Sequence, residues 1–421
     1  MGFMSRRNRL VVLLVSTPLV VFVMVGGLLG AVVPAPQQAI SSLRVFDDVV
    51  RLIFGAYVEP PNVDKVMDGA MRGLADGLDP ATSYLTPDEV RAFDSRTALP
   101  PGDVGLTVSR QFWLRVVGVR DGSPAARAGI RSGDFIRAIN DSATRDVSAY
   151  AGQRLLAGPV GSKVTLLILR GNAADPHPVE LVREDPGAVR ATGKRLAGGE
   201  AYVRVVSFGA GAVAAIRSAV QATGTAAASG LILDLRDTAD GRPEDGVAAA
   251  RLFVSKGTIA TREGPDLSRA AATGTTRGAI TSKRVGQPAR TIDTEVISAE
   301  SGDGPLAMPV VVIVSRGTAQ AAEVLAAALA NNKRGTLVGE PTAGWAANQT
   351  LVRLPEGHGL LMTSVRYLQA DGKPIHSNSN EPRGLRPDVP VEVPPVAFDQ
   401  PAPEADPLLT AAVETLRKSR G

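Results

Sequence analysis

"MPVVVIVSRGTAQAAEVLAAALANN", residues 308–332, decides how this chain is read. An unbroken apolar run, Val310 to Val314, ends at Ser315. Such a run suits a strand buried on both faces of a parallel sheet. The alanine-rich stretch after it has helical composition. Between them is a tight corner of the kind on which many enzymes carry a serine or cysteine nucleophile. The residue at that place is Gln320.

The same alternation extends upstream. "AYVRVVSF" (201–208) and "GLILDLRD" (230–237) read as strands, and "AVAAIRSAVQAT" (212–223) and "EDGVAAARLFVS" (244–255) as helices. Strands alternating with helices imply βαβ units and a mainly parallel sheet, with sites where strands end and helices begin. "DLRDTADG" (234–241) and "SRGTAQ" (315–320) both lie at such corners. Ser315 and Thr318 are expected to cap a helix starting near Ala319.

Residues 104–184 differ: short β-rich runs separated by Gly, Asp and Asn turns, with one helical segment, "VSAYAGQRLLAG" (147–158). Before them, "VDKVMDGAMRGLADGL" (63–78) and "TPDEVRAF" (86–93) read as helices, the latter on a Thr86 cap. A further helical face is spaced Leu43, Phe46, Val49, Ile53, Tyr57. "DPLLTAAVETLRK" (406–418) is a final helix capped at Asp406.

The N-terminus carries "RRNR" (6–9) before an uncharged apolar run, residues 10–33. At 1.5 Å per residue, ~24 residues span roughly 36 Å, enough for a tilted transmembrane helix. The arginines place the start of the chain in the cytoplasm and the rest outside. A signal peptide cut after Ala35 is the rival reading, and the length of the apolar run favours an uncleaved anchor. The formal charge is +4, of which Arg6, Arg7 and Arg9 supply most, and the remaining charges are interspersed. No nucleic-acid footprint follows from that pattern. The absence of cysteine excludes disulfides and thiolate metal sites, and three scattered histidines lack metal-ligand spacing, so no metal or cofactor is expected.

The order of these pieces resembles the C-terminal processing (tail-specific) serine peptidases. "GAMRGLADGLDPATSYLTPDEV" (69–90) is similar to that family's helical collar, and "SPAARAGIRSGDFIRAIND" (123–141) to its PDZ signature. "LILDLRDTADG", "VVIVSRGTAQAAEV", "LVGEPTAGWAANQT" and "GLRPDVPVEV" follow its core motifs in order. The resemblance implies a multidomain α/β and α+β fold. It would run as a cytoplasmic tail (1–9), a transmembrane anchor (10–33), a helical segment (41–97), a PDZ domain (100–184), a peptidase-like core with a mostly parallel sheet (185–395), and a C-terminal tail and helix (396–421). It also implies a peptide-binding loop at Val104, Gly105 and Leu106, although Asp103 stands where the family has glycine and an acid there opposes a carboxylate.

The chemistry departs from the resemblance. The family's nucleophilic serine falls on Gln320 and its basic lysine on Trp345. An amide is no nucleophile for peptide hydrolysis, and an indole N–H donates only. The family's oxyanion turn reads "TADG", with Asp240 in place of the first glycine and Gly241 retained. Gln349 matches a family glutamine that helps position the dyad. Three departures together imply a pseudoprotease that binds unfolded or C-terminal peptide segments, or envelope proteins, as scaffold, adaptor or regulator. It would sit in a bacterial cell envelope, the ectodomain on the periplasmic or extracellular side, as a possible homo- or hetero-oligomer. The alternative is an active serine-type endopeptidase with unorthodox residues, Thr318 being the nearest hydroxyl.

Overall fold

The computed structural model describes residues 36–95, 99–171, 175–188, 190–224, 229–265, 292–377, 384–394, 396–398, 400 and 405–419. The expected anchor at 10–33 and the tail at 1–9 lie outside these residues. Among the described residues no helix is long and apolar enough to cross a membrane.

The described residues up to Asp68 form a body of their own. It contains helix α1 (Pro36–Ala56), on which Leu43, Phe46 and Val49 are exposed. Helix α2 (Val63–Asp76) begins there and ends in the larger body, which holds everything below.

In the larger body, β1 (Ser83–Leu85) precedes α3 (Pro87–Asp94). Thr86 caps α3 in a reciprocal capping box with Glu89, as the Thr-Pro-Asp-Glu spacing predicts. A six-stranded sheet follows in the order β2 (Leu106–Gln111), β3 (Trp113–Val119), β4 (Phe135–Ile139), β6 (Lys163–Leu169), β7 (His177–Val182), with β5 (Ser142–Ala143) paired to β4. Short helix α4 (Pro124–Arg127) follows β3. Helix α5 (Ala149–Leu156), capped by Ser148, packs closely enough that Gly152 lies against Leu114.

The second six-stranded sheet contains β8 (Ala191–Arg195), β9 (Ala201–Val205), β10 (Leu231–Asp234), β13 (Val310–Val314), β14 (Gly335–Gly339) and β17 (Val389–Pro390), in the spatial order β17-β14-β13-β10-β9-β8. All pairs are parallel except β8 with β9. Alternate residues of its strands enter two cores. Leu231, Leu233, Val310, Val312 and Val314 face helices α6 (Ala212–Ala222), α7 (Pro243–Ala250) and α8 (Ala321–Asn331). Ile232, Val311, Ile313 and Val338 face α9 (Pro407–Lys418), whose Asp406 carboxylate accepts from the Leu409 amide. Burial on both faces is why these strands read as unbroken apolar runs.

A third, five-stranded sheet was not foreseen from the sequence. It joins β1, β11 (Thr258–Pro265), β12 (Ile292–Ser298), β15 (Ala347–Arg353) and β16 (Gly359–Leu368) through antiparallel pairs. The stretch "SYL", placed among helices by the sequence reading, is therefore a strand paired with β16.

Alanine and glycine let α7 and α8 approach closely. A Cβ on Gly246 would lie 2.2 Å from the Ala321 carbonyl oxygen. Gly246→Val should therefore lower the unfolding free energy by about 1–3 kcal/mol. Gly73→Ala, with nothing within 4 Å of the added carbon, should raise it by about 0.5–1 kcal/mol. Urea denaturation checks both, and equal effects would contradict the packing described.

Candidate active site

Three loops meet at the C-terminal ends of β10, β13 and β14. The Ala319 amide donates to the Thr238 carbonyl at 3.0 Å, and the Ala343 amide to the Thr318 carbonyl at 3.0 Å. The structure thus brings the corner 315–320, the turn 237–241 and the loop 342–345 together.

At the corner, the chain passes from β13 to α8 through Gln320, whose φ of 53° and ψ of −119° lie outside the favoured regions for a side-chain-bearing residue. The helix begins at Ala321, as expected near Ala319, but Gln320 and not Thr318 or Ser315 stands at its cap position. The fully buried Thr318 hydroxyl accepts from the Ser315 amide and donates to the Leu235 carbonyl, both at 2.9 Å. The Ser315 hydroxyl accepts from the amides of Asp237 and Gly317. Both hydroxyls tie the corner to the end of β10, because the buried polar groups of two adjacent strand ends need partners there.

Glu323, in the first turn of α8, is a residue to which the sequence assigned no role. Its carboxyl is completely buried. One oxygen accepts from the Thr342 hydroxyl at 2.5 Å and the Gly344 amide at 2.6 Å, the other from the amides of Trp345 at 2.7 Å and Gln320 at 3.2 Å. Burial pushes this carboxyl up to about 7, against the four donors, which favour the charged form. The legible signal was a glutamate three residues after the cap position, the spacing of a capping box. The Leu385 amide donates to the Thr342 hydroxyl, and a Cβ on Gly384 would collide with both Thr342 and Glu323, so "GLRPD" backs the same group.

Trp345 is half-buried and packs on a small apolar cluster of Val117, Ala239 and Ala319. That cluster draws together the corner, the turn and strand β3. Asp240 does not present a bare charge to the corner: its carboxylate accepts from the Ser207 hydroxyl at 2.5 Å and the Phe208 amide at 2.9 Å. Gly241 has φ of 80° and stands so close to Phe208 that a Cβ would lie 2.3 Å from its side chain. Gln349 lies on β15 and gives its amide to the Ala81 carbonyl at 2.5 Å. Of the neighbouring cations, Arg334 donates to the carbonyls of Phe253, Leu306 and Met308, and Lys373 pairs with Asp371.

Beneath the turn, Arg204 donates to Asp121 through two nitrogens, at 2.7 and 3.0 Å, and to the Thr238 hydroxyl at 2.9 Å. Asp121 follows β3, so one buried guanidinium joins the first sheet's loop to the turn. Burial alone would raise the Asp234 carboxyl, but Arg204 and Arg236 outweigh it and hold it below its ordinary value. Val104 and Leu106 are buried in the first sheet's core, and Gly105 between them has φ of 80°.

The raised Glu323 has a pH consequence. An unfolded glutamate loses its proton near about 4.3. From there to about 7 the folded chain keeps a proton that the unfolded chain has lost, so the group's contribution falls as pH rises through this window and is flat above it. Glu323→Gln should lose that slope, so the wild type should lose stability relative to the variant as pH rises through this window. Urea midpoints of both proteins from acidic to neutral pH check this, and parallel curves would contradict it.

Residues 200–391 match the model of peptidase family S41, and residues 115–170 that of a PDZ domain. A carboxyl-terminal-processing protease of Picosynechococcus sp. is 30% identical over 362 residues, covering 84% of this chain and 78% of the relative. A carboxy-terminal-processing protease of Bartonella bacilliformis is 27% identical, covering 85% and 77%. Among solved structures, a photosystem II D1 C-terminal processing protease superposes with a TM-score of 0.61 at 27% identity, covering 82% of this chain and 86% of that one. With a parallel sheet, a strand-to-helix corner at its C-terminal edge and a preceding PDZ domain, the chain belongs to peptidase family S41, among the carboxyl-terminal-processing proteases.

Proposed function

We propose that this chain is a pseudoprotease of its family, one that holds peptide segments or partner proteins without cleaving them. The observation that carries the reading is the side chain on the strained corner. A strained strand-to-helix turn is worth its cost, on the order of 1–3 kcal/mol, where it aims a reactive group. Here it aims the amide of Gln320, and the loop that should bring a base brings Trp345 into apolar packing instead. Asp240, where the family has glycine, puts an acceptor held by Ser207 and Phe208 on the turn, where an oxyanion site needs donors. The alternative, an endopeptidase acting through Thr318, requires a hydroxyl that is already donated to Leu235 and wholly buried.

On this reading the chain serves as scaffold, adaptor or regulator in a cell envelope. Residues 10–33 anchor it, and the PDZ domain and core lie on the periplasmic or extracellular side.

The test is reversion. The wild-type chain should leave casein and tail peptides intact by mass spectrometry. The triple variant Gln320→Ser, Trp345→Lys, Asp240→Gly should cleave them, because the corner and its Glu323 support are in place. Cleavage by the wild type that Thr318→Ala abolishes would overturn the reading in favour of the alternative.

A further inference from the structure

The PDZ domain carries an acid inside its own ligand loop. PDZ-type capture of a C-terminus relies on backbone N–H groups gathered in a nest, and on a strand edge open for pairing. In this chain the Gly105 amide donates to the Asp103 carboxylate at 2.9 Å. Arg120, at the end of β3, donates to both oxygens of the same carboxylate, at 2.5 and 2.9 Å. Its own backbone amide holds the Gly105 carbonyl at 2.8 Å. The amide and the cation that would greet a peptide carboxylate are therefore both engaged by a carboxylate of the chain itself.

Two further backbone groups beyond the loop are engaged within the chain. Gln153 of α5 reaches across to donate to the Leu106 carbonyl at 2.9 Å, and the Arg110 amide donates to the Pro80 carbonyl at 3.2 Å. These bonds occupy one group at each end of β2. Asp103 is further pinned by reciprocal backbone bonds with Glu184, both at 2.9 Å, so its side chain starts from a fixed place.

We propose that Asp103 is an internal ligand of its own PDZ loop, so that this domain does not select free C-termini and accepts an extended segment without a terminal carboxylate. An arriving carboxylate would have to share the Gly105 amide and Arg120 with an existing one, and two like charges in hydrogen-bond reach repel strongly. This narrows the binding half of the proposed function. It is independent of whether the chain cleaves, because its readout is peptide affinity rather than hydrolysis.

Fluorescence anisotropy with two labelled decapeptides of one sequence, one ending in a free carboxylate and one in an amide, tests it on the full chain. The wild type should bind both within about twofold. Asp103→Gly should prefer the acid by about tenfold or more, and adding Arg120→Ala should reduce that preference. If Asp103→Gly does not keep the wild-type unfolding midpoint, Asp103→Asn, which removes the charge alone, should prefer the acid by at least about threefold. A tenfold acid preference in the wild type, or no gain in a folded variant, would overturn the proposal.

Discussion

One buried carboxyl organises the region where the family's chemistry belongs. Glu323 accepts four hydrogen bonds, from the corner at Gln320, from the Trp345 and Gly344 amides, and from Thr342. A chain passing through φ of 53° at a side-chain-bearing residue needs such over-determination to stay there. Glu323 supplies it from below, while the Ala319–Thr238 and Ala343–Thr318 bonds supply it from either side. The corner and the loop after β14 are thus joined by one group, which takes the backbone amides and not the side chains of residues 320 and 345. On the proposed reading, holding the loops through their backbone lets the architecture persist while the reacting groups differ.

The PDZ domain is attached to the same region rather than appended to it. A Cβ on Gly317 would lie 2.9 Å from the Val117 carbonyl, and Gly118 is similarly close to Ala239. Val117 also contributes to the cluster under Trp345, and Arg204 runs from Asp121 to Thr238. A buried guanidinium with two bonds to one loop and one to the other resists separation of the two, since parting them breaks charge-assisted hydrogen bonds. Trp345 adds apolar contact where a lysine would have required a wet or charged neighbourhood.

Much of this was legible in the sequence. The unbroken apolar runs named the parallel sheet, the alanine-rich segments named its helices, and the motif order named the family. The third sheet was missed because "SYL" is short and lies between two helices; only its pairing with β16 makes it a strand. The helix caps were legible at Thr86 and Asp406, where a capping side chain precedes proline, and misread at Thr318, whose hydroxyl is drawn to a strand-end carbonyl instead. Local sequence ranks possible partners for a hydroxyl, and tertiary approach chooses among them. Asp240 and Asp103 show the same limit. As letters they were bare charges opposing an oxyanion and a carboxylate; in the fold each is already held, by Ser207 and Phe208 in one case and by Gly105 and Arg120 in the other.

The central claim, that the corner keeps its shape without a nucleophile, is tested most directly by intact-mass analysis of the wild-type chain after exposure to a serine-reactive fluorophosphonate. The account predicts no covalent adduct at any incubation time that fully labels an active serine peptidase under the same conditions. A stoichiometric adduct mapping to Thr318, Ser315 or another hydroxyl beside the corner would contradict it.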